Sequence, residues 1–315
     1  MGSRNECGDD KFGRSMNSPL LLLLGTGAAL GLNFPLGKMA MAAGINPALW
    51  ATIICLGAGV AMLVVSKVEE HSRTGDASVV QFAIVSGLIS YVAPNLLTFS
   101  VILKIGSGLT AIMFALSPVV TALFSILLRV RPPSLLGVVG IAFGLLGAVV
   151  IIVYRNADFS DASLPWFLAA LLIPLFLGAG NIYRTLAWPE GASPRRLAAV
   201  TNLAAVPPLL SVAVVTSGAL ELAPLAAVPG LVALQIAVSS VMFLMFFRLQ
   251  QLGGPTYLSQ IGYIAAAVGV VIGVGWLGET YPASVWIGTA IVAVGIALSS
   301  FAQVRQAQAK HSQAN

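Results

Sequence analysis

Residues 31–47, GLNFPLGKMAMAAGINP, have a counterpart 147 positions later in residues 178–194, GAGNIYRTLAWPEGASP. Both stretches carry glycine at their first and fourteenth positions and proline at their seventeenth. Later pairs keep this spacing or, after one small insertion, a spacing of 151: Leu97 with Leu244, Phe99 with Phe246, Gly106 with Gly253, Gly137 with Gly288, Ala142 with Ala293, and Gly144 with Gly295. Matches in the same order along the chain predict an internal duplication.

The composition predicts a membrane protein. Hydrophobic residues make up 58% and charged residues 9% of the chain, with a mean hydropathy of +0.94, against about 45–50% and about 25% in soluble proteins. A membrane-spanning helix needs about 20 apolar residues. Ten such spans are predicted, at residues 19–43, 47–66, 78–103, 107–128, 134–153, 164–187, 197–217, 227–249, 255–277 and 283–303. The expected fold is therefore an all-α integral membrane protein with ten transmembrane helices.

Five spans fall in each copy of the repeat. We expect a first five-helix repeat at 18–155, a second at 162–304, and cytoplasmic tails at 1–17 and 305–315. The first tail is polar and unlike the rest, so Met16 is a candidate natural start. Because five is odd, the second repeat is expected upside down relative to the first, as in many secondary transporters.

The basic residues predict the orientation. With the N-terminus in the cytoplasm, thirteen of the sixteen Lys and Arg residues lie at the inner side, and only Lys38, Lys104 and Arg155 lie towards the outer side. This bias predicts a multi-pass protein of a bacterial cytoplasmic (inner) membrane with both termini inside. Since the charges sit at helix ends, we expect lipid and a small solute as partners rather than nucleic acid, and a monomer or weak homodimer.

Several short motifs resemble EamA-type members of the drug/metabolite transporter superfamily. They are the run at 31–38 with Asn46-Pro47, Leu116-Ser117-Pro118, and Leu277-Gly278-Glu279 followed by Gly288 and Gly295. The resemblance covers residues 17–303. It implies an inverted-repeat carrier of small metabolites, often an exporter, whose cavity is lined by the first, third, fourth, sixth, eighth and ninth helices.

Polar side chains inside the spans are candidates for substrate contact, since such groups are costly in lipid. Tyr91, Asn95 and Thr98 form one stripe of a helix, and Asn95 and Gln260 are expected to share a central space. The substrate-binding candidates are Asn33, Lys38, Tyr91, Asn95, Asn181, Tyr183, Gln235, Tyr257, Gln260 and Tyr263. The alternative for each amide is a hydrogen bond between helices, worth about 0.6–2 kcal/mol.

Charged residues and prolines in the spans each leave two alternatives open. Lys38 is either a counter-ion for an anionic substrate or a side chain that snorkels to the outer interface. Arg184 is expected to snorkel, and Glu279, in an outer turn, is expected to cap a helix or pair. The prolines that interrupt spans are plain kinks or hinges of alternating access, and the hinge candidates are Pro35, Pro94, Pro118 and Pro174.

These observations favour a secondary transporter that works by alternating access and is expected to export small neutral or zwitterionic metabolites such as amino acids. The alternatives are an intramembrane enzyme, a channel, or a carrier of anionic metabolites that uses Lys38. Both histidines, His71 and His311, lie outside the spans, and the cysteines are Cys7 and Cys55. These residues predict no catalytic site, no metal site and no cofactor.

Overall fold

The computed structural model describes residues 18–67, 77–130, 134–155, 164–280 and 282–314, and the regular structure in these ranges is entirely helical. The predictions about the N-terminal tail, the start at Met16, Cys7 and His71 lie outside these ranges. The helices, in chain order, are α1 Pro19–Ala42, α2 Pro47–Lys67, α3 Ala77–Gly87, α4 Ala93–Ile105, α5 Ser107–Phe114, α6 Ser117–Leu127, α7 Leu135–Arg155, α8 Leu164–Ala170, α9 Leu172–Leu186, α10 Pro194–Ser217, α11 Ala223–Ala227, α12 Pro229–Ser259, α13 Ile261–Gly275 and α14 Ala283–Ala314.

Within the described ranges, seven helical stretches are long and apolar enough to cross a membrane, and they begin at Pro19, Pro47, Ala77, Ser107, Pro165, Pro194 and Pro229. Shorter apolar helical segments lie at Leu135–Gly147, Ile261–Gly275 and Trp286–Gly295. Large apolar side chains remain exposed on the outside of the bundle, for example Leu127, Leu135 and Val215. Lipid accepts such surfaces and water does not, so the chain is a multi-pass membrane protein.

The two stretches that begin the repeat have the same local structure. Each ends in a turn whose glycine, Gly44 or Gly191, has a positive φ of 81° or 70°, a conformation that glycine adopts without a steric cost. A proline three residues later is the first residue of the next helix, Pro47 in α2 and Pro194 in α10, where its missing N–H costs no hydrogen bond. The sequence match at 147 residues is thus also a match in conformation.

Four short interruptions divide the helical stretches of the described residues, and a kink with non-helical backbone at Gly254 lies inside α12. A π-helical turn, Leu88–Val92, joins α3 to α4, and short breaks separate α5 from α6, α8 from α9, and α12 from α13. Of the prolines predicted as hinges, Pro94, Pro118 and Pro174 each lie within three residues after an interruption, whereas Pro35 lies inside the continuous helix α1. A proline near a helix start is favourable because the first backbone N–H groups have no helical acceptor.

Contacts between helices cross from one half of the chain to the other. Helix α1 packs against α12 and α13, while α9 packs against α4 and α6. Helix α10 packs against α2 and α3, and α7 lies along α14. The centre of the bundle is therefore formed by helices of both halves.

Candidate functional site

A cavity lies between the two halves of the chain. The cavity has a volume of about 80 Å³, several times the roughly 10–15 Å³ that one water needs. The polar residues of its lining are Asn33, Ser90, Tyr91, Asn95, Thr98, Ser117, Asn181, Arg184 and Ser259. The aromatic residues of its lining, besides Tyr91, are Phe34, Phe99, Phe114, Phe243 and Phe246.

Three of the helix interruptions border this cavity. Ser90 belongs to the π-helical turn, Ser117 begins α6, and Ser259 and Ile261 flank the break between α12 and α13. Irregular backbone at membrane depth is tolerated where it is buried in protein or lines a cavity. The interruptions therefore bring backbone and small polar side chains to the same space.

The predicted stripe on the third span lines the cavity. Tyr91 and Thr98 are buried, and neither the Tyr91 Oη nor the Thr98 Oγ1 has a hydrogen-bond partner in the described part of the chain. Asn95 lies between them along the helix and is half-buried. Together these side chains present unused donors and acceptors to whatever occupies the cavity.

Asn33 lines the cavity, but its amide is used to join α1 to α12. Its Oδ1 accepts hydrogen bonds from Gln235 Nε2 and, at 3.2 Å, from Ser239 Oγ. Its Nδ2 donates to the carbonyl oxygen of Ala29 at 3.0 Å. Gln235 is fully buried in this contact and is outside the cavity lining.

Arg184 corrects the expectation that this side chain snorkels. It is 1% exposed and lines the cavity. Its guanidinium donates from Nη1 to Ser90 Oγ and from Nη2 to Asn181 Oδ1 at 2.6 Å, and lies 4.8 Å from the ring centroid of Phe246. Helix α9 points this residue at the π-helical turn, inside the helix bundle.

Asn181 holds this arrangement in place. Its Oδ1 accepts from Arg184, and its Nδ2 donates to Thr121 Oγ1 at 3.2 Å. The Asn181 backbone oxygen accepts from Gln250 Nε2 at 3.3 Å. The amide thus orients the guanidinium and ties α9 to α6 and α12.

Lys38 forms an ion pair with Glu279 and is not in the cavity lining. The Lys38 Nζ lies 2.5 Å from Glu279 Oε1. The same carboxylate accepts from the backbone N–H of Ser107 at 2.9 Å, from Ser107 Oγ at 2.7 Å and, through Oε2, from the N–H of Gly108 at 3.2 Å. Glu279 therefore both pairs with Lys38 and caps α5, as expected, and neither alternative given for Lys38 describes its contact.

The remaining candidates lie outside the cavity lining. Gln260 is buried at the break between α12 and α13, between the lining residues Ser259 and Ile261, and is not itself among the lining residues. Tyr257 packs in an apolar cluster with Leu22 and Leu258. Tyr263 packs where α7 passes at Gly144, and Tyr183 stacks on Phe82 with ring centroids 6.0 Å apart.

Known proteins resemble this chain over different parts of its length. Residues 17–153 match the sequence model of the EamA-like transporter family. A WAT1-related protein of Arabidopsis thaliana is 30% identical over 139 residues, which are 42% of this chain and 39% of that protein. The alignment thus spans about two fifths of the curated relative. A protein of known crystal structure aligns over 90% of this chain and 97% of its own with a TM-score of 0.63 at 18% identity, which shows a shared fold.

The first half of the chain carries an EamA-like transporter family domain, and the resemblance to the drug/metabolite transporter superfamily is confirmed. This family is described as one of transporters.

Proposed function

We propose that this protein is a secondary transporter that moves small solutes across a membrane by alternating access to the central cavity. The observation that carries the proposal is the cavity itself, which is lined by both halves of the chain at the interruptions of their helices. A binding site between two halves that rock against each other is the usual arrangement of secondary transporters.

We further propose ten spans arranged as two inverted repeats, 18–155 and 162–304. The seven long stretches and three shorter apolar helices follow one another in the order of the ten predicted spans. Reciprocal contacts support a two-fold relation, since α1 packs on α13 in the other half and α9 packs on α6. Backbone conformation supports it too, because Gly106, before α5, and Gly254, at a kink inside α12 one residue after the counterpart Gly253, both have positive φ, 85° and 72°.

The Lys38–Glu279 ion pair is proposed to close one end of the cavity. It joins α1 and α5, in the first half, to the segment after α13, in the second. Opening that end requires these bonds to break while the halves move. In this proposal the interruptions near Pro94, Pro118 and Pro174, together with Pro35 inside α1, supply the bending.

The proposed location is a bacterial cytoplasmic membrane with both termini in the cytoplasm and the Lys38 end outside. The excess of Lys and Arg at the inner side supports this orientation. Export is the proposed direction because of the family resemblance, and small metabolites with both polar and apolar parts suit a lining of amide, hydroxyl and aromatic groups.

Counterflow in proteoliposomes tests the proposed function. Vesicles containing the purified chain are preloaded with unlabelled solutes from a panel of amino acids and small organic acids, and uptake of the labelled solute is followed. A carrier returns its site loaded, so internal solute accelerates uptake, whereas a channel shows no such acceleration. Protein-free vesicles are the control, and uptake that is neither saturable nor trans-accelerated for any solute would overturn the proposal.

A further inference from the structure

We infer that Arg184 is the anchor for a carboxylate, and that the substrate is a small monocarboxylate with an apolar body. This inference rests on the proposed function, because it names the class of solute that the central cavity receives. It starts from a charge that the described protein leaves without a counter-charge.

The contacts of Arg184 are all with neutral groups. Ser90 Oγ and Asn181 Oδ1 accept from its two terminal nitrogens, and Phe246 faces the guanidinium. The Nε is buried without a hydrogen-bond partner in the described residues. A guanidinium is permanently charged, and a buried cation is retained at a high cost unless an anion compensates it.

The described acidic residues do not supply that anion. They are Glu190 and Glu221, which are exposed, and Glu279, whose carboxylate is bonded to Lys38, Ser107 and Gly108. Arg184 nevertheless lines the cavity. An anion that enters the cavity therefore meets a positive charge that has been dehydrated and oriented in advance, which is the condition for strong charge-assisted binding.

The rest of the lining defines the body of the ligand. Phe34, Phe99, Phe114 and Phe243 supply apolar and aromatic walls, and no second Lys or Arg is among the lining residues. A phosphate ester would be expected to need several cationic donors, whereas one guanidinium matches one carboxylate bidentately. Tyr91 and Thr98, whose hydroxyls lack partners in the described part, can bond one further polar group of the ligand.

This assignment moves the anion site away from Lys38. In the sequence Lys38 was the candidate counter-ion, but its charge is balanced by Glu279. Arg184 carries the charge that is available in the cavity. Ser90 and Asn181 are positioning residues, because they accept hydrogen bonds from its guanidinium and so orient it.

The test measures equilibrium binding to the full-length purified protein by isothermal titration calorimetry. The ligands are matched pairs of an acid and its amide: butyrate with butyramide, benzoate with benzamide, phenylacetate with phenylacetamide. For at least one pair the acid should bind about 10- to 100-fold more tightly than the amide. If no acid binds more tightly than its amide, the inference is overturned, and this comparison needs no variant.

Variants locate the charge. Arg184→Gln should abolish the preference for the acid while binding of the amide is retained, and Arg184→Lys should keep part of it. Lys104→Gln is the matched control, because it removes one exposed positive charge outside the cavity lining and should leave the preference intact. An acid preference that survives in Arg184→Gln, or that disappears in Lys104→Gln, contradicts the assignment.

Binding and transport fail separately in this design. A protein that prefers acids but shows no counterflow would refute the proposed transport while leaving the carboxylate site. Trans-accelerated transport without any preference for acids would refute the carboxylate site while leaving the proposed transport.

Discussion

Lys38 in the first half of the chain and Arg184 in the second occupy nearly corresponding positions of the two matching stretches, and their charges are balanced differently. Lys38 in α1 is matched by a carboxylate of the other half, at a distance of 2.5 Å. Arg184 in α9 lies one residue from the position that corresponds to Lys38 in the repeat, is 1% exposed, and has only neutral partners among the described residues. Two matching stretches of sequence thus place one cation in an ion pair and the other against neutral groups.

The difference follows from what each helix end faces. The end of α1 meets the segment after α13, which brings Glu279 to the first turn of α5. The end of α9 meets the π-helical turn, which supplies Ser90 and no acid. An ion pair balances its charges without a ligand. An unmatched buried charge raises the free energy of the empty site, and the binding of an anion lowers it again.

The largest effect is expected when the ion pair of Lys38 is broken. Glu279→Ala removes the partner of Lys38 and the acceptor of two N–H groups and one hydroxyl at the start of α5. We expect a loss of about 2–4 kcal/mol in the free energy of unfolding, moderated because Lys38 can regain some water. Thermal unfolding in detergent measures it. Glu221→Ala, at an exposed acid, is the control, and equal behaviour of the two variants would contradict the role of the pair.

Removing the unmatched cation, Arg184, should increase the stability of the ligand-free protein. Arg184→Met replaces a dehydrated charge by an apolar side chain of similar length, so the ligand-free protein should gain about 1–2 kcal/mol. Lys38→Met, which leaves the Glu279 carboxylate without its cation, should lose stability in the same thermal assay. If both variants lose stability to the same extent, Arg184 is balanced within the protein and the contrast between the halves does not hold.

Local features of the chain were predictable from the sequence. The predicted first span, 19–43, agrees with α1 within one residue, because hydropathy and the proline at a helix start act locally. Glu279 was expected to cap or pair, since it lies in a turn. Arg184 was placed wrongly because its environment depends on how α9 is rotated against α4 and α12. The available signal was Asn181, three residues earlier and therefore on the same helical face.

A helix interruption also explains why three substrate-binding candidates of the second half lie outside the cavity lining. The substrate-binding candidates Tyr257, Gln260 and Tyr263 are spaced by three residues, so they would share one helix face only if a single regular helix contained them. The break at Gln260 ends that periodicity, so Tyr257 and Tyr263 pack in separate places. The stripe of Tyr91, Asn95 and Thr98 lines the cavity although it crosses the end of the π-helical turn, because its residues lie on a continuous helical path.

A smaller effect is expected from the side chains that orient Arg184. A Cβ added at Gly180 would clash with Ser90 Oγ and would lie 3.3 Å from Arg184 Nη1, so Gly180→Ala should displace the serine hydroxyl from the guanidinium. We expect the acid-over-amide preference to fall by about 3- to 10-fold, the equivalent of one lost hydrogen bond. Gly275→Ala, where the added Cβ meets no atom within 4 Å, should leave the preference unchanged. A preference that is unaffected in Gly180→Ala would show that Ser90 does not position Arg184.

The smallest expected effect distinguishes a cavity amide from a buried one. Asn95 lines the cavity and is half-buried, so Asn95→Leu should weaken solute binding by about 2- to 10-fold through the loss of one hydrogen bond. Gln260 is buried outside the lining, and Gln260→Leu should alter thermal stability while leaving affinity unchanged. Calorimetric titration of both variants with the tightest acid of the panel separates these outcomes. An equal loss of affinity in both would restore the shared central space that the sequence predicted, and would place the break between α12 and α13 directly against the solute.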